Sequence, residues 1–220
     1  MKLDYAAVRA SDEIRTYITQ ADASLIAMGY TEHSFAHVTK CAETAAGLLS
    51  QLGYDERQVE LAKIAGYMHD IGNVVNRVDH AQSGAVMAFR ILDKMGMDPE
   101  DVAVVVTAIG NHDEHTAFPV NAVAAALILA DKTDVRRSRV RNRDTISFDI
   151  HDRVNYAVEQ SDLTLDKEKK SLTLSLSIDT EISAVMDYFE IFMTRMLLCR
   201  KAAEFFGLRF RLNINGSEVL

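Results

Sequence analysis

The sequence predicts a mainly α-helical protein that closes with a small β-β-α-β unit. Over the first two thirds, apolar residues recur at spacings of three and four between recognisable helix caps, whereas after about residue 160 the period falls to two. Composition agrees with a globular class: of 220 residues, 48% are hydrophobic and 25% charged, which excludes disordered, collagen-like and coiled-coil chains. With about 150 residues as a typical domain, the length suits one large domain with an appendix. The change of period sets the expected division: a helical domain over 1–160 and a small α+β unit over 161–220.

Each element has its own signal. Ser11 caps a helix that ends near Gly29, and residues 31–52 continue with Phe35, Val38, Ala42, Ala45, Ala46 and Leu49 on one stripe before Gly53 stops them. Asp55 with Gln58 resembles a capping box and opens a helix through Leu61, Ile64, Ala65 and Met68, which Gly72 ends or loosens. A helix from His80 to Met95 stops at Gly96. The next, announced by Asp98-Pro99-Glu100-Asp101, runs to about Asn111. Residues 120–133 are apolar almost all round and form the central helix. Leu163 and Leu165, then Leu172, Leu174, Leu176 and Ile178, alternate with polar residues about the charged turn 166–170 and read as a hairpin. A long helix over 180–206 follows, and Leu208, Phe210, Leu212 and Ile214 form a third strand.

Charge and composition narrow the partners. The formal net charge of −8 argues against broad nucleic-acid binding, which depends on Lys and Arg contacts to phosphates. A small anionic substrate stays open, because a bound cation reverses the local field. No window reaches the roughly 18 apolar residues of a membrane span, and the start MKLDYAAVRASDE lacks a signal-peptide core, so a cytoplasmic location is expected. Cys41 and Cys199 lie in helical runs and read as small core fillers. Strand edges in the tail offer pairing between chains, which admits a homodimer.

Histidine is the informative residue type. Five of the seven stand where helices begin, end or meet loops. His69 and Asp70 are adjacent at a helix end, where both side chains reach one ion if the last turn opens. His37 lies on an earlier apolar stripe, His80 opens a helix, and His112 closes one. Asp131, set among Leu127, Ile128, Leu129 and Ala130, is costly to bury unless paired or bound to a metal. The set His37, His69, Asp70, His80, His112 and Asp131 offers four imidazoles and two carboxylates, enough for two cations with Asp70 between them. His33, four residues before His37, either faces the substrate from the same helix face or is solvated; His115 and His151 read as structural or exposed. Asn73, Asp113 and Glu114 line the expected rim.

The order His37…His69-Asp70…Asp131, with His69-Asp70-Ile71-Gly72 and Ala130-Asp131-Lys132, resembles the HD superfamily of metal-dependent phosphohydrolases over roughly residues 25–140. His80 in His80-Ala81-Gln82-Ser83-Gly84-Ala85 and His112 in Ile109-Gly110-Asn111-His112 look like the extra histidines of its dinuclear members. The nearest likeness is to the HD proteins that hydrolyse diadenosine tetraphosphate. The chain departs from common patterns in two places. Asn73 stands where members often carry lysine. The run His112-Asp113-Glu114-His115-Thr116-Ala117-Phe118-Pro119 departs from the cyclic-dinucleotide phosphodiesterase branch.

The resemblance implies an HD-domain helical bundle and hydrolysis of a phosphoester or phosphoanhydride in a nucleotide-like small molecule. It implies two divalent ions (Fe, Mn, Ni, Co or Zn, with Mg admitted) on the six ligands, and Asp70 and Lys132 in catalysis. Substrate phosphate then meets Lys132, His33 and the arginines of the run that follows: Arg136, Arg137 and Arg139, with Arg141 and Arg143 behind them. Spaced by one and two, no more than two of these arginines face one cleft; their alternative is a solvated loop. Asp134 is a further candidate near the ions. Two other functions share the same residues: a di-iron oxygenase of the same fold, and a binding module with little turnover whose tail recognises the ligand.

Overall fold

The computed structural model describes residues 2–141 and 149–220, and it divides into two compact units, Met1–Asp131 and Lys132–Leu220. Arg143, part of the expected arginine run, lies outside the described residues. Helices carry the first unit. They are α1 (Tyr5–Ala10), α2 (Asp12–Ala27), α3 (Phe35–Leu52), α4 (Glu56–Met68), α5 (His80–Lys94), α6 (Pro99–Gly110) and α7 (Ala122–Lys132), whose last residue opens the second unit. A 3-10 turn, Ile71–Val74, joins α4 to α5.

The capping signals are realised locally. The Asp55 carboxylate accepts from the Gln58 amide at 2.9 Å, and that of Asp98 from the Glu100 amide at 2.9 Å with Pro99 in the first turn. Gly53, at φ +84°, supplies the left-handed stop of α3. Residues Val123–Ala130 of α7 are buried throughout, as their all-round apolar character requires. Arg57 on α4 fastens α6 through Asp101 Oδ2, 3.0 Å from Nε and 2.7 Å from Nη2, and the N-terminal segment through the Leu3 carbonyl.

Two close approaches set the spacing of the helices that carry the site. A Cβ on Gly66 would stand 2.7 Å from the Cα of Ala42, so α3 and α4 touch backbone to backbone. A Cβ on Gly72 would stand 2.0 Å from the carbonyl oxygen of His80, so the 3-10 turn lies flat against the start of α5.

The second unit begins with a 3-10 turn, Arg137–Arg139, and α8 (Ile150–Ala157). It continues with β1 (Val158–Asp166), β2 (Ser171–Ile178), α9 (Val185–Phe205), β3 (Arg209–Ile214) and β4 (Ser217–Glu218). The sheet order is β1-β2-β3-β4; β1 and β4 pair antiparallel to their neighbours, while β2 and β3 run parallel. A parallel pair needs a crossover, and α9 provides it. Leu172, Leu174 and Leu176 register with Phe210, Leu212 and Ile214, all buried.

The expected β-β-α-β order is therefore present, with a two-residue fourth strand added. Several elements differ from the periodicity reading: α1 precedes the Ser11 cap, where no helix is expected, and α9 starts at Val185 rather than at 180. α8 has eight residues, too few for a period to show, and β1 starts at Val158, earlier than its alternation reveals, since its first half, Val158-Glu159-Gln160-Ser161-Asp162, has no run of alternating apolar residues. The sequence expectation divides the chain at 160, and the two compact units divide at 131/132. Ser161 Oγ donates to the Thr133 carbonyl at 2.7 Å, and the Asp179 amide to the Ala157 carbonyl at 2.9 Å, tying the intervening residues to the sheet. Among the described residues, no helix is long and apolar enough to cross a membrane.

Candidate metal centre

All six side chains expected to bind metal belong to the first unit, and they converge. His37 stands in the first turn of α3, His69 caps the C-terminus of α4, and Asp70 follows it at φ −95°, ψ 0°, just before the 3-10 turn. His80 is the first residue of α5, His112 lies beyond the end of α6, and Asp131 is in the last turn of α7. Adjacent residues on a regular helix diverge by about 100°, so His69 and Asp70 share a target because the helix opens between them. The four imidazoles and Asp70 are buried, and the Asp131 side chain is 12% exposed.

The Asp70 carboxylate divides the cluster. Its Oδ2 lies 3.6 Å from His37 Nε2 and 3.3 Å from His69 Nε2, while its Oδ1 lies 3.6 Å from His80 Nε2. Asp131 Oδ1 completes the first half, 3.3 Å from His37 Nε2 and 3.7 Å from His69 Nε2. His112 Nε2 completes the second, 3.2 Å from His80 Nε2. Asn73 holds Asp70 in place, its Nδ2 donating to both the Asp70 carbonyl and Oδ1 at 2.9 Å.

The histidine tautomers follow from the backbone. His69 Nδ1 is 2.8 Å from the Gly66 carbonyl, His80 Nδ1 is 3.0 Å from that of Arg77, and His112 Nδ1 is 2.6 Å from that of Ile109. A carbonyl only accepts, so each Nδ1 carries a proton, and in its neutral form each ring turns an Nε2 lone pair into the cluster. Two such lone pairs facing one another between His80 and His112 repel in the absence of a cation or added proton. His69 Nε2 and Asp70 Oδ2 are buried without a hydrogen-bond partner. Orphaned acceptors aimed at one point, with imidazole and carboxylate as the donors, fit a borderline divalent cation. The donor atoms of His69, Asp70 and His112 lie within 4.8 Å of one another, as do those of His37, Cys41, His69 and Asp131.

Electrostatics agree. Burial works against a charge on His69, but the Asp70 and Asp131 carboxylates outweigh it and raise its pKa to about 10. Burial likewise pushes the Asp70 carboxyl up, and the charges of His69, His33 and His80 overcome it and hold the group well below its usual range. A proton on His69 thus serves as the positive charge that the acids demand.

The other expected site residues are placed as follows. His33 does not share a helix face with His37, because α3 begins only after the Ser34 cap. It sits in the preceding loop, with its amide on Asp22 Oδ1 at 3.0 Å and its ring edge-on to that of His37 at 5.5 Å. Lys132, Asp134 and Arg139 are buried in the second unit. Arg136 Nε donates to Asp134 Oδ1 at 2.9 Å, Arg139 Nη1 to the Asp134 carbonyl at 2.8 Å, and Arg137 Nε to the Tyr156 carbonyl at 2.6 Å. Arg137 also lies over the Tyr156 ring at 4.8 Å. These guanidinium groups have partners of their own.

Two neighbours of the cluster escaped the sequence reading. Cys41, taken as a core filler, has its Sγ 3.7 Å from both ring nitrogens of His37; its position one helical turn after that histidine was the available signal. Arg77 reaches His80 Nε2 with its Nη1 at 3.4 Å, and nothing in its sequence context set it apart from a surface arginine.

Comparison with known proteins places these residues in context. Residues 34–141, just under half of the chain, match the family model described as HD domain. Ribonuclease Y of Opitutus terrae is 30% identical over 112 residues, which are 51% of this chain and 20% of that protein. The chain thus matches about a fifth of the length of that curated relative. The crystal structure of a predicted HD superfamily hydrolase from an uncultured Thermotogales bacterium is 30% identical, with 56% of this chain and 67% of the other covered and a TM-score of 0.45.

Proposed function

We propose that this chain, whose residues 34–141 belong to the HD superfamily, is a metal-dependent phosphohydrolase that cleaves a phosphoester or phosphoanhydride of a nucleotide-like small molecule. The observation that carries the reading is the inward-facing Nε2 of the histidines about the shared Asp70 carboxylate, with His69 Nε2 and Asp70 Oδ2 orphaned. His37, His69, Asp70 and Asp131 would hold one divalent ion, and His80 and His112, with Asp70 shared, would hold a second. Bound there, such ions lower the pKa of a coordinated water and neutralise charge on phosphoryl oxygens.

The protein's own residues do the rest. Backbone carbonyls lock the tautomers of His69, His80 and His112, so the ligands need no rearrangement. Asn73 fixes the torsion of Asp70 and keeps its two oxygens turned toward different histidines. Burial of the ligands lowers the local dielectric, which strengthens every charge interaction at the reacting phosphate. The name of the Opitutus relative denotes a nuclease, and phosphodiester cleavage is the same class of displacement, so a short RNA belongs among the candidates beside small nucleotides.

The test is a substrate panel on protein whose metals have been counted after anaerobic purification: bis-p-nitrophenyl phosphate, p-nitrophenyl phosphate, ATP, diadenosine tetraphosphate and a short RNA. Metal-dependent release without oxygen is expected. Asp70→Ala, which takes a ligand from both halves, should lower it roughly a thousandfold or more. Full activity in Asp70→Ala would refute the assignment, and oxygen uptake in place of phosphate release would convert it to the oxygenase reading.

A further inference from the structure

Arg77 lies in the loop between the 3-10 turn and α5, partly buried. Its Nη1 stands 3.3 Å from Asn73 Oδ1 and 3.4 Å from His80 Nε2, and its guanidinium lies over the Tyr30 ring at 5.6 Å. Both polar contacts are long and both use one nitrogen. Among the described residues, no carboxylate pairs with this guanidinium, and its Nε and Nη2 have no protein acceptor. Elsewhere in the chain arginines beside acids are consumed by them, as Arg57 is by Asp101 and Arg136 by Asp134.

A permanent cation at the edge of a metal-ligand cluster is unfavourable unless something anionic joins it. Two divalent ions and Arg77 sum to more positive charge than the carboxylates of Asp70 and Asp131 cancel, so the balance is left to an exogenous anion. Arg77 is held for that purpose rather than used up. Its Nη1 reaches the same Asn73 side chain that orients Asp70, and Tyr30 supports the guanidinium face. Its planar fork suits two oxygens of one phosphate.

Resting on the phosphohydrolase reading above, we infer that Arg77 takes hold of the substrate's phosphate group beside the metal centre. The structure thereby assigns substrate recognition to a residue within the first unit. It also favours a terminal phosphate, whose three non-bridging oxygens serve the fork and the metals together, over a diester, which has two.

The test is binding of inorganic phosphate to the full-length, Mn-loaded protein by calorimetry, for wild type, Arg77→Ala, Arg77→Gln and Arg77→Lys, with bound metal and unfolding temperature measured on each. Loss of a charge-assisted pair predicts that Arg77→Ala and Arg77→Gln bind phosphate roughly 10- to 100-fold more weakly, while Arg77→Lys keeps part of the affinity. Should Arg77→Ala fail to hold metal, Arg77→Gln, neutral but still polar and able to hydrogen-bond, decides. Wild-type affinity in Arg77→Gln, or no phosphate binding by the wild type, would overturn the inference. The two readings fail separately. Arg77-dependent phosphate binding without turnover on the panel sinks the hydrolase and leaves an anion-binding residue; turnover with Arg77-independent phosphate binding does the reverse.

Discussion

At position 72 the chain has room for a hydrogen atom and nothing more. The carbonyl oxygen of His80, 2.0 Å from where a Cβ would be, belongs to the backbone of α5 and has no rotamer through which to retreat. Gly72→Ala must therefore push the start of α5 off the 3-10 turn, carrying His80 away from Asp70. Overpacking of this kind costs about 3 kcal/mol, to be read from the urea midpoint, and bound metal per chain should fall in step. Wild-type metal content in a folded Gly72→Ala protein would show that the contact does not position the ligands. Titration of the ligands makes a second prediction at this scale. His69 has its pKa raised to about 10, so in the metal-free chain its charged form contributes stability that is complete below the ordinary value of 6.5 and is lost as pH rises through 10. Asp70, lowered, contributes above the ordinary value of 3.8 and loses its part as pH falls. A cation needs His69 Nε2 without its proton, so binding expels that proton and becomes easier with pH while the metal-free fold weakens. The rise in melting temperature on adding Mn should therefore grow from pH 6 to pH 9, with proton release visible as a buffer-dependent binding enthalpy. An increment independent of pH would contradict the ligand role of His69.

At the scale of elements, the legible features are those that local chemistry writes into the chain. Asp55 and Asp98 announce helices because an orphaned backbone amide needs an acceptor, and those caps are found where expected. The pairing of His69 with Asp70 could be read as a site only on the condition that the helix opens between them. The structure meets that condition with α4 ending at Met68 and the backbone of Asp70 leaving helical geometry. Less was legible where position depends on a tertiary approach. That α3 and α4 touch at Ala42 and Gly66 is what sets His37 against His69, and neither residue advertises it. His33 was assigned to a helix face that starts two residues after it, since Ser34 competes as the cap. Arg77 is distinguished only by what a loop brings beside it, and loop geometry leaves no period to detect. In the second unit the strands buried on one face, β2 and β3, show their alternation plainly, whereas the edge strand β1 hides half its length in polar residues.

For the molecule as a whole, the six proposed ligands span positions 37 to 131 and come from five helices or their ends, so a metal bound there would cross-link α3 through α7. An ion that binds only the folded state stabilises it by RT ln(1 + [L]/Kd), about 2.7 kcal/mol at a hundredfold excess over Kd. For a chain of this size that corresponds to a rise of roughly 5–10 °C in melting temperature, reversed by a chelator. The second unit, Lys132–Leu220, carries none of the six ligands and builds its core from β2, β3 and α9. Hydrogen exchange on stripped and Mn-loaded protein should therefore differ by region. Amides of α3, of the segment from His69 to Val74, and of the facing ends of α5, α6 and α7 should slow on loading, while those of β1, β2 and β3 keep their rates. Slowing spread evenly over both units, or confined to the sheet, would mean that the ion is held by other residues than these six, since a ligand bound by native side chains protects the elements it joins more than those it does not touch.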